Sequence, residues 1–375
     1  MHGLASALAA RGNSVTVVSQ HSQRGVASSV QWREGVEYRL ARSFGVPRYL
    51  ANGLNPGVLL MRALQRIPTS DVVHLFQPFL PGAIPWLVGR LRARRPLIVY
   101  DWDDLWWNSW EQQLFLEEKT TMPWRKRLAI VQRNWMEKYL PAWSDLVTTC
   151  SQPLARRASE RGAALVQVVP NGADDRDCFD EGNIRKRFGL RDDAFYLGFA
   201  GWTLMHVEWC LELLRRVRGW LPTARLAFCG ADPRTLGLSD LLLSEACDFL
   251  GVLSPGDCAA FCRAADLLLL PLLDNDINQA RFPMKFAEYA ASGTPFLCSA
   301  VGECLIWADR VPSVRLAPPS EDGWLEAGEA CVRAIEASTM NAKDNQNTRC
   351  RELLWNEVVG VLEEAYQRGC ELRRK

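Results

Sequence analysis

Cysteine is absent before Cys150, and the 12 cysteines of the chain include no CxxC pair. The spacings Cys258/Cys262 and Cys298/Cys304 are not those of common zinc sites. The sequence therefore excludes a dense disulfide framework and a zinc module. It predicts thiols that serve as small buried apolar side chains in a reducing compartment.

Neither sign of charge is in excess, and no long apolar run is present. The 375 residues carry 44 Lys and Arg against 43 Asp and Glu, which argues against a general nucleic-acid-binding surface. The longest uncharged stretch, residues 72–89, contains Pro78, Pro81 and Pro85 and is a poor membrane-spanning helix. The first residues lack the basic region of a secretory signal. We therefore predict a cytoplasmic protein that binds no nucleic acid.

The chain does show a repeated alternation of short apolar runs with helical spacings. The predicted strands are residues 14–19, 36–40, 71–76, 96–100, 145–150, 165–169, 195–200, 224–230, 249–251, 267–272 and 295–299. The predicted helices are residues 4–11, 85–94, 124–140, 207–220, 255–265, 285–292 and 348–373. This alternation is typical of βαβ units and parallel sheets, and the length suits two domains.

We predict an α/β protein with two Rossmann-like, doubly wound domains that face each other across a cleft. The domains are residues 1–172 and 173–345, and a final helical segment, 346–375, is placed to pack back on the first. Residues 170–172 read as a turn between the domains. Ligands bind at the carboxyl ends of the strands in such sheets. The chain opens with a helix, so either the first strand and its glycine-rich loop are missing or the start is truncated.

The strongest local pattern lies at residues 281–295. Pro283 suits the first turn of a helix, which places Arg281 and Lys285 where free amides and the helix dipole attract an anion. Glu288 shares a face with Lys285 and offers a carboxylate to sugar hydroxyls. The alternative is an ordinary Lys285–Glu288 surface pair of little energetic value, and the spacing alone leaves both open.

Residues 283–295, P-M-K-F-A-E-Y-A-A-S-G-T-P, resemble the donor-site signature of GT-B glycosyltransferases of the family 4 type. Residues 3–18, 71–74 (D-V-V-H), 144–151 and 169–179 resemble further motifs of that family in the same order. The resemblance implies a hexosyltransferase-type enzyme (EC 2.4) that moves a sugar from a nucleotide-diphosphate sugar to a hydroxyl acceptor. That acceptor is a glycan, a lipid-linked molecule or a small molecule. The resemblance also implies retention of configuration, no cofactor and no metal.

The resemblance assigns donor-site roles residue by residue. Glu288 matches the glutamate that holds the ribose. The other glutamate of the motif, which contacts the donor sugar in many members of the family, is replaced here by Ala280. Lys285 and Arg281 match diphosphate contacts. The loop after the first strand of the second domain adds Gly201, Thr203 and His206 as donor-binding residues, with His206 also a catalytic candidate that donates to phosphate. The alternative for His206 is a histidine that caps or packs.

Carboxylates and aromatic residues mark the first domain. Asp101 is a second catalytic candidate, and Asp103, Asp104, Trp106 and Trp107 are acceptor-side candidates. An N-cap role is the alternative for Asp103 or Asp104. Six tryptophans between Trp102 and Trp135 lie near a basic stretch, which suits sugar stacking or peripheral contact with the inner face of a membrane. A core helix with a basic edge is the plainer alternative.

Two other functions compete with the transferase. Ala280 and the missing first strand fit a non-catalytic relative that serves as a partner or regulatory subunit. A nucleotide-sugar epimerase of the same architecture is the other alternative. Such an enzyme would convert a donor without any acceptor.

Overall fold

The computed structural model describes residues 2–21, 26–42, 69–78, 80–91, 95–105, 124–174, 184–201, 206–230, 245–337 and 349–374. The chain divides into two compact units. Unit 1 is Met1–Pro170 together with Asn356–Lys375, and unit 2 is Asn171–Trp355. Each unit is an α/β structure built on parallel strands. Among the described residues, no helix has the length and apolar character needed to cross a bilayer.

The described residues of unit 1 form two sheets. The first has the order β1-β3-β2 and the second the order β4-β5-β6-β7. Among these described strands, the β2–β3 pair is antiparallel and the other neighbours are parallel. The strands are β1 (Val15–Gln20), β2 (Ser29–Arg33), β3 (Val36–Ala41), β4 (Val72–Phe76), β5 (Leu97–Trp102), β6 (Leu146–Thr149) and β7 (Val166–Val168). β5 and β6 are buried throughout, as expected for central strands covered on both faces.

The helices of unit 1 include the last one of the chain. They are α1 (His2–Ala10), α2 (Leu80–Arg90), α3 (Trp124–Trp143), α4 (Gln152–Glu160) and α12 (Trp355–Arg374). Ala365 of α12 belongs to a buried cluster with Leu97, Val99 and Leu146. A Cβ at Gly369 would lie 2.9 Å from the Leu97 side chain, so glycine permits this close approach. The final helix therefore completes the core over the second sheet.

The described residues of unit 2 form a six-stranded sheet, in the order β10-β9-β8-β11-β12-β13, with all neighbours parallel. The strands are β8 (Tyr196–Ala200), β9 (Arg225–Cys229), β10 (Cys247–Phe249), β11 (Leu267–Leu270), β12 (Phe296–Ser299) and β13 (Val314–Ala317). The order reverses between β8 and β11. In doubly wound sheets, this reversal opens a crevice at the carboxyl ends of the strands, where ligands bind.

Helices flank this sheet. They are α5 (Ile184–Arg187), α6 (Val207–Arg218), α7 (Pro255–Ala264), α8 (Asp276–Ala280), α9 (Met284–Ser292), α10 (Glu303–Ala308) and α11 (Glu321–Glu336). The local sequence explains where α7 begins. Ser254 caps α7 by accepting a hydrogen bond from the Asp257 N–H, and Pro255 follows in the first turn.

Some predicted boundaries were wrong. Residues 170–172 do not form a turn, because the chain runs on to a parallel bridge between Ala173 and Leu354. The strand predicted at residues 249–251 lies at Cys247–Phe249. β5 continues through Asp101 to Trp102, since those side chains are buried as well. The chain begins with α1, as the sequence indicates.

Candidate active site

The start of α9 is fixed beside the end of β8. Pro283 occupies the N-cap position, and Gly293, with φ of 76°, ends the helix in the left-handed conformation that glycine favours. The hydroxyl of the buried Tyr289 accepts a hydrogen bond of 3.0 Å from the Ala200 N–H. This bond joins the middle of α9 to the last residue of β8. The first turn of α9 therefore lies at the reversal point of the sheet.

Lys285 packs directly on the backbone that follows β8. Its Nζ lies 4.2 Å from the centre of the Phe199 ring, a cation–π contact. A Cβ at Gly201 would lie only 2.1 Å from that Nζ, so any side chain at 201 would displace the ammonium group. The Gly201 N–H in turn donates to the Cys229 carbonyl at 2.8 Å. Because residue 201 has no side chain, the Lys285 ammonium group can lie against the backbone at the end of β8.

The cationic charge of this region is concentrated and partly desolvated. The pKa of Lys285 is lowered to about 8, mainly by burial and also by the positive charge of Arg281, while nearby anionic groups act in the opposite direction. Arg281 is the C-cap residue of α8. Its Nε is buried and has no hydrogen-bond partner among the described residues. Two adjacent cations that oppose each other in this way would both be stabilised by a bound anion.

His206 presents a second unpartnered nitrogen in unit 2. It is the N-cap residue of α6 with φ of 56°, and its side chain makes no capping hydrogen bond. Its ring packs against Trp209, with 5.5 Å between ring centres, and its Nδ1 lies 3.5 Å from Glu208 Oε1. Within the described residues its Nε2 is buried without a hydrogen-bond partner. The capping role considered from the sequence is therefore not observed.

Glu288 lines a pocket of unit 2 and is held largely neutral. Its pKa is raised to about 8, mainly by burial and also by the charges of Cys258 and Asp174, while Lys285 acts in the opposite direction. In the described part of the chain, Lys285 and Glu288 interact through their charges without an ion-pair contact, and both are only partly exposed, so the surface-pair alternative is not what the structure contains. At neutral pH the protonated carboxyl can both donate to and accept from a hydroxyl group.

Sequence reasoning missed several residues around Glu288. The same pocket is lined by Asp174, Cys258, Cys262, Arg263, Ser292 and Arg349. Asn171 donates from its amide to the Phe282 carbonyl at 2.7 Å and so holds the segment that leads into α9. Asn171 and Asp174 belong to the P-N-G-A-D motif, and its family resemblance is the only sequence feature that could have indicated them. No sequence feature indicated a role for Arg349 or for the Ser292 side chain.

In unit 1, Asp101 lies inside β5. The carboxylate is buried, accepts a 2.6 Å hydrogen bond from the Thr148 hydroxyl, and lies 3.9 Å from His74 Nε2. His74 Nδ1 is 2.6 Å from the Tyr366 hydroxyl of α12. Tyr366 and Asp101 thus flank the His74 ring at the carboxyl end of β5, and His74 Nε2 has no hydrogen-bond partner among the described residues. The sequence pattern indicated Asp101 but not Tyr366.

Of the other acceptor-side candidates, the structure describes Asp103 and Asp104. Asp103 accepts a hydrogen bond from the Gln77 amide at 3.1 Å, and Asp104 accepts one from the Leu105 N–H at 2.8 Å. Trp102 is fully buried and donates to Glu137, so it is a core residue. Trp106, Trp107 and Thr203 lie outside the described residues. Ala280, in the place of the motif glutamate, is the buried last residue of α8.

The fold and the site together define a class of protein with two nucleotide-fold units. In the second unit, cationic side chains lie near the end of β8, where the strand order of the sheet reverses. Two family models match the chain, the Glycosyl transferase 4-like domain over residues 1–172 and Glycosyl transferases group 1 over residues 194–334. The chain therefore belongs to the GT-B glycosyltransferases of the family 4-like, group 1 type. No curated protein matches it in sequence.

Solved structures share this fold at low sequence identity. Sucrose-phosphate synthase from Thermosynechococcus elongatus matches with a TM-score of 0.71 and 16% identity, over 97% of this chain and 91% of that one. WaaG, a glycosyltransferase involved in lipopolysaccharide biosynthesis, matches with a TM-score of 0.66 and 16% identity, over 98% and 94%. HepE from Anabaena, in complex with UDP-glucose, matches with a TM-score of 0.55 and 16% identity, over 90% and 86%.

Proposed function

We propose that this glycosyltransferase uses a nucleotide-diphosphate sugar as its donor and binds it in unit 2. One observation carries the proposal: the Lys285 ammonium packs on the bare backbone of Gly201, close to Arg281, whose buried Nε has no partner in the part of the chain that the structure describes. Cations placed at the carboxyl end of a strand and the start of a helix suit a diphosphate. Glu288, with its raised pKa, suits a ribose or sugar hydroxyl.

In this proposal the residues act mainly by position and charge. When the bond between the sugar and the diphosphate breaks, negative charge grows on the departing oxygen. Lys285 and Arg281 then stabilise the diphosphate, and His206 donates from Nε2. These interactions strengthen as the bond breaks, which is the condition for faster chemistry. Thr203 belongs to the same proposed donor loop. No metal or cofactor has a role in this scheme.

The acceptor side of the proposal lies in unit 1. Asp101 is the proposed catalytic group there, and Asp103, Asp104, Trp106 and Trp107 are proposed to hold a hydroxyl acceptor. Transfer of a hexose with retention of configuration rests on the family resemblance. A lipid-linked acceptor would agree with the exposed aromatic and basic face of α3, where Trp135 is 49% exposed beside Lys138. We accordingly propose peripheral contact with the inner face of a membrane.

Ala280 favours one rival function. The donor-sugar glutamate of the motif is replaced by a buried methyl group, which agrees with a non-catalytic relative that serves as a partner subunit. Such a protein would bind a nucleotide sugar without consuming it. An epimerase would instead consume the donor with no acceptor present.

The decisive experiment is a screen of UDP-, GDP- and ADP-sugars, with released nucleotide as the readout. The transferase proposal expects release by the wild-type chain and by Lys186→Met, an exposed control in α5. Lys285→Met should lose about 10- to 100-fold in donor affinity, the value of one charge-assisted contact. Donor binding without release would favour the partner subunit, and a changed sugar without acceptor would favour the epimerase. Wild-type affinity in Lys285→Met would refute the site.

A further inference from the structure

Three cysteines meet beside Glu288, and the proposed transfer chemistry uses none of them. Cys229 is the last residue of β9, and Cys258 lies in the first turns of α7. Their sulfur atoms are 3.8 Å apart. Cys262 follows Cys258 by four residues, so both lie on one face of α7. Cys258 and Cys262 also line the Glu288 pocket.

The three thiols differ in exposure and in ionisation. Cys258 is partly exposed, whereas Cys229 and Cys262 are buried. Hydrogen bonds from the thiols of Cys229 and Cys262 lower the pKa of Cys258, burial opposes them, and the charge of Lys285 acts in the same direction as the hydrogen bonds. The hydrogen bond with Cys258 and burial raise the pKa of both neighbours. Lys285 and Glu288 of α9 are the other ionisable groups that act on this cluster.

This arrangement has one accessible thiolate with a protonated thiol within reach. A thiolate is the form of cysteine that attacks peroxides and disulfides, and exposure determines which thiolates react. A redox-sensing cysteine typically has a second cysteine poised to close a disulfide. Among the described residues, no group of three or more His, Cys, Asp or Glu is arranged to hold a metal ion. The geometry therefore favours sulfur chemistry over metal binding.

We propose that Cys258 and Cys229 form a peroxide-sensitive dithiol, a reversible oxidation site in the wall of the Glu288 pocket. The Cys258 thiolate attacks one oxygen of a hydroperoxide. The O–O bond breaks, and the other oxygen leaves as hydroxide, or as alkoxide from an organic hydroperoxide, and takes a proton to become water or an alcohol. Cys258 is then a sulfenic acid, oxidised by two electrons.

The Cys229 sulfur next attacks the Cys258 sulfur. A sulfur–sulfur bond forms, the S–O bond breaks, and the oxygen leaves as water with the Cys229 proton. Two thiols and one hydrogen peroxide thus give one disulfide and two waters. The sulfur atoms must approach from 3.8 Å to about 2.05 Å, which requires a side-chain rotation and a small backbone adjustment. A thiol reductant returns both thiols by exchange.

A second pair of cysteines provides a matched internal control. Cys298 and Cys304 also interact through their thiols, but both are fully buried. Proximity is therefore common to the two pairs, while access to solvent belongs, within these pairs, to Cys258 alone. The inference does not depend on the proposed donor, because its readout is the mass of the chain.

The test treats the full-length reduced chain with equimolar hydrogen peroxide at about pH 6, where ordinary thiols are protonated. Unreacted thiols are then alkylated, and peptides are mapped by mass spectrometry. We expect a Cys229–Cys258 cross-linked peptide that dithiothreitol removes, while Cys298 and Cys304 remain reduced. In Cys229→Ser, we expect no bridge and a dimedone adduct at Cys258. Cys262→Ser should keep the bridge.

Three results would overturn the proposal: all thiols reduced after treatment, a bridge between Cys258 and Cys262 instead, or equal oxidation of the Cys298/Cys304 pair. Circular dichroism of each variant shows whether it folds. The wild-type peptide map decides the question even if a variant does not.

Discussion

At the scale of single residues, burial changes the ionisation of two neighbouring groups in opposite directions. The pKa of Lys285 is lowered to about 8 and that of Glu288 is raised to about 8, in each case mainly because burial disfavours the charged form. Their mutual attraction is too weak to reverse either shift. At neutral pH the site therefore carries a cation beside a neutral carboxyl, which suits a diphosphate next to sugar hydroxyls.

This ionisation predicts how donor binding depends on pH. As pH rises through about 8, Lys285 loses its positive charge and Glu288 gains a negative charge, and both changes oppose a diphosphate. We expect the Kd of the donor or of the free nucleoside diphosphate to change little from these groups between pH 6 and 7. It should rise about tenfold or more between pH 7 and 9. Isothermal titration calorimetry measures the profile.

Two variants separate the contributions. Glu288→Gln removes one titration, so its affinity should fall less steeply with pH. Lys285→Met removes the other and should bind weakly at every pH. A flat wild-type profile between pH 7 and 9 would contradict the assignment.

A second residue-scale prediction concerns Gly201. In Gly201→Ala, the new methyl group would lie 2.1 Å from Lys285 Nζ, so the lysine must move away. We expect donor affinity to fall about 10- to 100-fold, as in Lys285→Met. The double variant should lose little more than either single one, because both remove the same contact. Gly360→Ala in α12 is the control, since no atom lies within 4 Å of its added Cβ. Additive losses would show that Gly201 acts independently of Lys285.

At the scale of elements, α3 presents an unusual exposed face. Trp135, Tyr139 and Trp143 contact one another, with 5.2 Å between the first two rings and 5.4 Å between the two tryptophans. Lys138 is exposed beside them, whereas Glu137, the one acidic residue of this helix, is buried and accepts from Trp102. Aromatic side chains next to basic ones are typical of surfaces that lie on anionic membranes.

We predict that the chain co-sediments with anionic phospholipid vesicles and less with neutral ones. Trp135→Ser together with Trp143→Ser should weaken binding about 30-fold, because burial of two half-exposed tryptophans is worth about 2 kcal/mol. Trp32→Ser, on β2, is the control, since Trp32 is 69% exposed on another element of the same unit. High salt should weaken binding as well. Equal sedimentation of all three proteins would exclude this face.

The elements also show how far sequence patterns reach. Buried strands such as β11, with the sequence LLLL, and β5 were predictable because strands covered on both faces are continuously apolar. β2 was not predicted, since it is exposed at several positions. The path of residues 171–173 was also missed, because it depends on hydrogen bonds between Ala173 and residues 353–355, far along the chain.

The same limit applies to the site. Lys285, Arg281 and Glu288 were indicated by their positions at a helix start, a local feature. The contact of Lys285 with Gly201 and the Cys229–Cys258 pair join residues distant in sequence. Periodicity and spacing carry no information about such contacts, and only the packing of α7 and α9 on the sheet reveals them.

At the scale of the whole molecule, the two units differ in how the chain builds them. Unit 2 is the continuous segment Asn171–Trp355, with its own six-stranded sheet and core. Unit 1 needs Met1–Pro170 and the last residues, Asn356–Lys375. The proposed donor residues all lie in unit 2, and the final helix covers Leu97, Val99 and Leu146 of unit 1.

This division predicts different fates for two fragments. Residues 171–355 should fold alone, melt cooperatively and bind the donor with a Kd close to that of the full chain, but without transferring sugar. Residues 1–170 should fail to fold stably, because removal of α12 exposes the apolar face of β5 and β6. Adding a peptide of residues 356–375 in trans should restore part of its structure. Circular dichroism melts and calorimetry measure each case.

A stable 1–170 fragment would show that α12 is an addition rather than a part of the core. A 171–355 fragment that folds but does not bind would place essential donor contacts in unit 1.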